Sequence, residues 1–139
     1  MTDISYHIVK TADAATILAL YRQAGWWQMD DNPEYLDTVK KIMSNSFCFV
    51  IAKAGEEIIG MGRAISDGVS DAYIQDVTVR TDMRGKSIGK GIIRTLLAFL
   101  KENKLQWIGL ISEPGYEKFY GGLGFNVMQH YTPFLLGEE

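Results

Sequence analysis

The sequence predicts an α/β (α+β) fold: a mixed, mostly antiparallel sheet flanked by about four helices. Three observations support this prediction. The chain has 139 residues, close to the usual size of one domain, and 47% of them are apolar. Apolar residues follow a helical period in some segments and a strand-like pattern in others. No repeat, low-complexity tract or proline-rich linker divides the chain, so we expect a single domain over residues 1–139.

The N-terminal part predicts one strand and two helices. Residues 4–9 favour an extended strand. Thr11 is a candidate N-cap for a first helix, whose apolar residues are three and four positions apart and which ends at Gly25. Pro33 is suited to the first turn of a second helix, whose apolar face reaches Met43.

The middle of the chain changes to extended structure. Residues 47–53, 57–65 and 71–79 are rich in strand-forming side chains and are separated by short turn sequences. Tight turns join antiparallel neighbours, so these three strands should form a meander. Gly60 and Gly62 in the second strand indicate a bulge or the close approach of another group.

The C-terminal part predicts a βαβ unit followed by further strands. An amphipathic helix at about 90–102 separates the third meander strand from a strand at 106–111, so these two strands should be parallel with a right-handed crossover. A short helix is expected from Pro114 to about Tyr120. Residues 125–131 and 134–136 are predicted as the last strands of the sheet.

Composition and charge exclude several classes of function. The single cysteine, Cys48, and two distant histidines, His7 and His130, do not form a metal-binding pattern. Both histidines are interpreted as partly exposed strand residues rather than catalytic bases. The net charge of −3 argues against a general nucleic-acid binder. The N-terminus lacks the basic and apolar regions of a signal peptide, and no apolar run is long enough for a membrane span, so we expect a cytoplasmic protein without membrane attachment.

The most informative segment is the glycine-rich loop at residues 84–91. A Walker A loop would require glycine at position 80, which is Arg80, and a dinucleotide fingerprint would require glycine at position 94, which is Arg94. A short basic loop that leads into a helix N-terminus remains, and such a loop binds anions through its backbone N–H groups. An ordinary strand-to-helix turn with solvent-facing basic side chains is the alternative interpretation.

Two motifs in this chain resemble those of one enzyme family. Residues 76–79, the loop at 84–89 and the amphipathic helix after it resemble the acyl-CoA-binding signature of the GNAT (Gcn5-related) N-acetyltransferases. Residues 119–125, Phe-Tyr-Gly-Gly-Leu-Gly-Phe, resemble a second GNAT segment. The resemblance implies the GNAT fold, in which the parallel central strand pair is splayed, and acetyl-CoA as co-substrate.

The resemblance also implies where acetyl-CoA would bind. The pantetheine arm would lie along the backbone of the fourth strand, and the pyrophosphate would lie on the loop amides. The implied cofactor-binding residues are Val77, Thr78, Val79, Arg84, Gly85, Lys86, Ser87, Ile88, Gly89 and Lys90. Ser87 replaces a glycine that is usual in the family, and we expect binding to survive if the backbone of Ser87 keeps a negative φ.

In enzymes of this kind an amine attacks the thioester directly, and the resemblance implies candidate residues for the proton transfers. Tyr120 is the candidate acid for the leaving thiolate, because a phenol with a pKa of about 10 is protonated at neutral pH. Tyr116, one helical turn earlier, is the alternative donor. Glu113 and Asp76 are the candidate bases for the amine.

The acceptor is expected at residues 25–31, which join the first two helices. Trp26, Trp27, Asp30 and Asp31 are candidate substrate-binding residues, because aromatic faces and carboxylates attract a cationic amine. The alternative is that both tryptophans cover the core. The acceptor would be a small-molecule amine or a protein amine, and a homodimer is compatible with a small enzyme of this type.

The resulting hypothesis is an acetyl-CoA-dependent N-acetyltransferase that uses no metal. A non-catalytic acyl-CoA-binding or regulatory module with the same fold is the main alternative. A nucleotide-binding protein that uses the same loop is a third interpretation.

Overall fold

A five-stranded mixed sheet organises the protein in the computed structural model, which describes residues 3–27 and 32–137. The strands follow one another across the sheet in chain order: β1 (Ile4–Ile8), β2 (Cys48–Ala54), β3 (Glu57–Ile65), β4 (Asp71–Val79) and β5 (Trp107–Leu110). Neighbours from β1 to β4 are antiparallel, and β5 is parallel to β4. The helices are α1 (Ala14–Gln23), α2 (Glu34–Asn45), α3 (Ile88–Glu102) and α4 (Glu117–Gly121), with a 3₁₀ turn at Thr81–Met83. The predicted mixed sheet is thereby confirmed.

Local side-chain chemistry explains where the first two helices begin. The N-cap of α1 is Asp13, whose carboxylate accepts a hydrogen bond from the backbone N–H of Thr16 at 3.1 Å. The prediction that Thr11 caps this helix is wrong by two positions, because a carboxylate placed three residues before an amide satisfies that amide directly. Pro33 is the N-cap of α2, one position before the first helical residue that the sequence predicted for it.

The sheet is covered on both faces, and β3 lies at its centre. Helix α3 packs on one face through Ile92, Leu96 and Leu100, which are fully buried. Helices α1 and α2 pack on the other face, where Ile17 and Val39 are also fully buried. Alternate residues of a strand point to opposite faces, so the strands between these layers are apolar on both sides.

The glycines of β3 permit close contact between the sheet and α3. A Cβ atom on Gly62 would lie 2.7 Å from Cγ2 of Ile92 and 3.1 Å from Cγ2 of Val77. The pairing of β2 with β3 also shifts register beside Gly60, between Ala52 and Lys53. Both interpretations of these glycines, a bulge and a close approach, are therefore confirmed.

The predicted strands at 125–131 and 134–136 are wrong for this chain on its own. Residues 125–137 form neither strand nor helix. Phe134, Leu135 and Leu136 are 92%, 97% and 95% exposed. Strand-forming composition does not create a strand unless a neighbouring strand satisfies its backbone, and the described part of the chain provides none here.

Helix α4 begins at Glu117 rather than at Pro114, because Gly115 has a φ of 94°, outside the helical region. Within residues 3–27 and 32–137, no helix combines the length and the apolar character that a bilayer crossing requires.

Candidate active site

A cleft opens where β4 and β5 separate. The two strands pair only from Asp71 to Ile74 on β4 and from Trp107 to Leu110 on β5. The remainder of β4 continues to Val79 without a described partner on the β5 side. The cleft has a volume of about 540 Å³ and reaches from the N-terminus of α3 to α4. The splayed parallel pair expected from the family resemblance is confirmed.

A bulge bends β4 at this point. Met61 pairs with Thr78, but Arg63 pairs with Gln75, so β4 contains one more residue than β3 over this interval. Within the bulge, Asp76 has a φ of 59°, a left-handed conformation that aspartate adopts more readily than most residues. The extra residue turns the Asp76 side chain away from α3 and towards α1.

The Asp76 carboxylate joins three elements of the fold. Its Oδ2 atom accepts a hydrogen bond from the Tyr21 hydroxyl of α1 at 2.7 Å and an ionic hydrogen bond from Arg63 Nε of β3 at 2.6 Å. Burial, followed by the charge of Asp76, raises the pKa of Tyr21, so this phenol remains a proton donor. The base role for Asp76 stays a prediction, and Oδ2 would have to leave two partners to perform it.

Sequence reasoning did not identify Tyr21 or Arg63 as residues near the site. Tyr21 belongs to the apolar stripe of α1. The partner of its hydroxyl, Asp76, is far away in the sequence, so no local pattern reveals the hydrogen bond. Arg63 is a charged residue in β3, whose residues between Glu57 at the start and Arg63 are apolar or glycine. A charge in such a strand needs a counter-charge when it is buried, and this was the available signal.

The loop before α3 uses two left-handed residues to turn the chain. Gly85 has a φ of 79° and Ser87 has a φ of 64°. The negative φ at Ser87 on which we made cofactor binding conditional is therefore not observed, because the turn into α3 uses the conformation that favours glycine. The Ser87 side chain does not cap the helix, so the first amides of α3 are not satisfied by it.

Positive charge surrounds this helix N-terminus. Arg84 Nε donates a hydrogen bond to the backbone carbonyl of Val79 at 3.0 Å, which fixes the loop to the end of β4. Arg80 is paired with Asp82 and Glu57 and so belongs to the surface rather than to the cleft. All of the predicted cofactor-binding residues except Lys86 line the cleft. Basic side chains beside the N-terminus of a helix are the combination that is suited to an anion, so the prediction of an anion site at this end of the cleft stays a prediction.

The candidate catalytic side chains lie in the same cleft. Tyr120, Tyr116, Glu113 and Asp76 all line it. The Tyr120 ring packs edge-on against Phe119, with 5.0 Å between ring centroids. Burial raises the pKa of Tyr120, and Tyr116 and Glu113 raise it further, so the hydroxyl keeps its proton at neutral pH.

The two tryptophans of the acceptor segment occupy different positions. Trp26 lines the cleft, and its Nε1 donates a hydrogen bond to Oε1 of Glu113 at 3.2 Å. Trp27 stacks on Tyr21, with 4.1 Å between ring centroids and 6° between planes, and packs against the core below α1. The core-covering alternative therefore describes Trp27 better than Trp26. Asp30 and Asp31 lie outside the described residues.

The remaining candidates lie away from the cleft. His7 is on β1, and His130 is in an exposed turn with a φ of 68°. Neither histidine contributes to the cleft lining. Across the described ranges 3–27 and 32–137, no three His, Cys, Asp or Glu side chains are close enough together to hold a metal ion.

The fold and the cleft are those of the GNAT family, and comparison with known proteins supports the same class. The sequence profile of the Acetyltransferase (GNAT) family matches residues 14–125, which include every described residue that lines the cleft. The chain therefore belongs to this family, for which acetyl-CoA is the typical acyl donor.

Individual curated relatives match only part of this chain, at about a third sequence identity. An uncharacterized N-acetyltransferase ycf52 from Pyropia yezoensis is 35% identical over 94 residues, which cover 65% of this chain and 54% of the relative. The chain thus spans about half the length of the curated relatives it matches.

Solved structures share the fold. A GNAT-family acetyltransferase from Streptococcus pneumoniae TIGR4 has a TM-score of 0.81 at 21% identity and covers 99% of this chain and 100% of its own. The structure of AAC(6')-Iy in complex with the bisubstrate analog CoA-S-monomethyl-acetylneamine has a TM-score of 0.76 at 15% identity, covering 98% and 99% of the two chains. The TM-scores show that these proteins share the fold of this chain, and at such low identity they show the fold alone.

Proposed function

We propose that this protein transfers an acetyl group from acetyl-CoA to a primary amine in the cleft between β4 and β5. One observation carries the proposal. The part of β4 without a described partner on the β5 side lines one cleft together with the N-terminus of α3 and Tyr120, a half-buried phenol that keeps its proton. A diphosphate and a thioester at opposite ends of one extended arm would match these two features.

The donor would be held mainly by the main chain. The first amides of α3 and the side chains of Arg84 and Lys90 would bind the pyrophosphate through charge and backbone N–H groups. The backbone of Val77 and Val79 would hydrogen-bond the pantetheine arm as an added strand does. Main-chain binding would make Ser87 acceptable in place of glycine, because its amide has the left-handed geometry that glycine would adopt.

The chemical step requires two proton transfers. The neutral amine attacks the carbonyl carbon, a C–N bond forms, and the C–S bond breaks as the thiolate leaves. Tyr120 donates its proton to the thiolate, and a carboxylate removes a proton from the amine directly or through water. Backbone N–H groups near Val77 would stabilise the oxyanion that forms in between.

Glu113 is the better supported base of the two candidates. The Oε1 atom of Glu113 accepts one hydrogen bond from Trp26, whereas Oδ2 of Asp76 is shared by Tyr21 and Arg63. Glu113 also lies in the same cleft as Tyr120, at the end where the thioester would react. We therefore assign Glu113 to proton removal and Asp76 to holding β4 in its bulged form.

The test measures release of thiol from acetyl-CoA by the full chain against a panel of small amines and lysine-containing peptides. Tyr120→Phe should lower kcat at least tenfold and leave the Kd for CoA unchanged, because only the proton donor is removed. Tyr35→Phe, in a tyrosine that does not line the cleft, is the matched control and should retain kcat. If Tyr116→Phe lowers kcat and Tyr120→Phe does not, the donor is Tyr116.

The same experiment distinguishes the alternatives. A non-catalytic acyl-CoA-binding module would bind CoA by calorimetry and release no thiol with any amine. A nucleotide-binding protein would be stabilised by ATP and not by CoA. The acceptor identity and the cytoplasmic location stay predictions.

A further inference from the structure

Tyr21 contacts two parts of the molecule that would serve different substrates. Its side chain is 1% exposed, and its hydroxyl donates a hydrogen bond to Oδ2 of Asp76 in the β4 bulge at 2.7 Å. Its ring contacts both Trp26 and Trp27, in the segment that follows α1. One buried side chain therefore touches the strand expected to hold the donor and the segment expected to receive the acceptor.

The end of α1 fixes Trp26 against Tyr21. Gly25 has a φ of 82° and turns the chain out of the helix. The N–H of Gly25 donates to the carbonyl of Arg22 at 3.0 Å, and the N–H of Trp26 donates to the carbonyl of Tyr21 at 3.4 Å. These two bonds form a Schellman ending, in which the side chains of the two outermost residues also pack together. The rings of Tyr21 and Trp26 do so, with 6.2 Å between centroids and 64° between planes.

Trp26 continues this chain of contacts to the other side of the cleft. Its Nε1 donates a hydrogen bond to Oε1 of Glu113, which follows β5. Asp76 belongs to β4, and the backbones of β4 and β5 no longer pair at this point. Tyr21 and Trp26 therefore join the two strands through side chains where their backbone pairing has ended.

The Asp76 end of this bridge is held firmly. Arg63 Nε donates an ionic hydrogen bond to Oδ2 of Asp76 at 2.6 Å, and its Nη1 donates to Oγ of Ser46 at 3.5 Å. The side chains of Arg63 and Asp76 are only 17% and 22% exposed, so water screens their attraction little. Because Arg63 is held by partners on both sides, Oδ2 has a fixed position, and the Tyr21 hydroxyl fixes α1 relative to it.

We propose that Tyr21 is a positioning residue, which holds the Trp26 indole, and with it the Glu113 carboxylate, in place relative to β4 before the amine arrives. The inference rests on the proposed function, in which Glu113 removes a proton from the amine and the thioester lies along β4. A misplacement of about 1 Å between reacting groups costs about 100-fold in rate. Tyr21 does not line the cleft, so it acts through Trp26 and Asp76, which do.

The kinetic test compares two substitutions of Tyr21 in the thiol-release assay. Tyr21→Phe keeps the ring against Trp26 and loses the hydroxyl, so kcat should fall about 5–20-fold while KM for the amine stays within about twofold. Tyr21→Leu also loses the ring, so KM for the amine should rise at least about fivefold. Both variants should keep the Kd for CoA, because the diphosphate would bind at the N-terminus of α3. Tyr35→Phe, which packs against the same core without lining the cleft, is the matched control and should change neither constant.

A double-mutant cycle separates positioning from a general loss of structure. In a Trp26→Ala background, Tyr21→Leu should raise KM for the amine by less than about twofold more, because the indole that Tyr21 positions is already absent. If the two substitutions multiply in their effects on KM, Tyr21 does not act through Trp26 and the proposal is wrong.

A spectroscopic readout tests the bridge without any reaction. In ¹⁵N-labelled protein, Tyr21→Phe should shift the indole N–H of Trp26 and the backbone amide of Val77, which follows Asp76. The same substitution should leave the backbone amide of Gly89 unchanged, because Gly89 lies in the loop at the far end of β4. Tyr35→Phe should leave all three signals unchanged. If wild-type protein releases no thiol with any amine, the proposed function fails, and these shifts still decide whether Tyr21 connects Trp26 to β4.

Circular dichroism and thermal unfolding establish that each variant is folded. If Tyr21→Leu does not fold, Gly25→Ala replaces it, since an added Cβ there meets no atom within 4 Å and strains only the left-handed turn that places Trp26. Gly25→Ala should also raise KM for the amine. Folded Tyr21 variants with wild-type kcat and KM, or an unshifted Val77 amide, overturn the proposal and leave Tyr21 a core residue only.

Discussion

Ser87 offers a quantitative test of the phosphate-loop backbone. Its φ of 64° and ψ of 19° are left-handed, and it is followed directly by the first residue of α3. Gly85, two positions earlier, has a φ of 79°, and a Cβ atom there would have no neighbour within 4 Å. The loop therefore contains one serine and one glycine in similar conformations, and the two residues can be exchanged independently.

The expected energies follow from these conformations. A side chain in the left-handed region costs about 1–2 kcal/mol, and Ser87→Gly removes that cost. Glycine loses about 0.5–1 kcal/mol more conformational free energy on folding, which opposes the gain. Ser87→Gly should therefore raise the free energy of unfolding by about 0.5–1 kcal/mol and Tm by about 2–4 °C. Gly85→Ser should lower the free energy of unfolding by about the same amount, since no steric contact adds to the backbone cost.

The assay is urea denaturation of both variants without ligand, followed by calorimetric titration with CoA. Ser87→Gly should keep the wild-type Kd for CoA, because the amide remains in the same conformation. If Ser87→Gly destabilises the protein, or if Gly85→Ser does not, the loop backbone is not left-handed at these positions and the account of the anion site is wrong.

Three further predictions concern the residues that support the cleft. Gly62→Ala should lower the free energy of unfolding by about 1–3 kcal/mol in urea denaturation, because the new Cβ would lie 2.7 Å from Ile92; an unchanged value would contradict the close packing of α3. Asp76→Asn should also lower the free energy of unfolding by about 1–3 kcal/mol, because Arg63 loses its counter-charge while asparagine can keep the left-handed backbone. An unchanged free energy of unfolding would refute the ion pair. Stability should fall as pH rises above about 10, because the Tyr21 phenol ionises in the unfolded chain but its raised pKa keeps it protonated in the fold. Tyr21→Phe should make that fall shallower in urea titrations from pH 8 to 11, and an identical slope would disprove the shift.

Local sequence patterns were sufficient to predict most of the fold. The meander of β2, β3 and β4 follows from short turns between strand-forming runs, and the parallel pairing of β5 follows from the helix that precedes it. The glycine-rich loop and Tyr120 could be identified from motifs, because each motif is a continuous stretch of the sequence.

Features that depend on distant residues could not be predicted. The Asp76 bulge requires Tyr21 and Arg63, which are 55 and 13 positions away in the chain. The left-handed Ser87 is set by the direction in which α3 must leave the loop. The strands expected at 125–136 fail to form because their backbone finds no neighbour within the described chain.

The hydrogen bond between Trp26 and Glu113 has a consequence for how an acceptor enters. An amine that binds the Glu113 carboxylate competes with the indole N–H for the same oxygen. In the proposed reaction, arrival of the amine would then break the contact between Trp26 and Glu113, and departure of the product would let that contact form again. Emission from Trp26 therefore offers an optical signal for occupancy, readable in real time without any label.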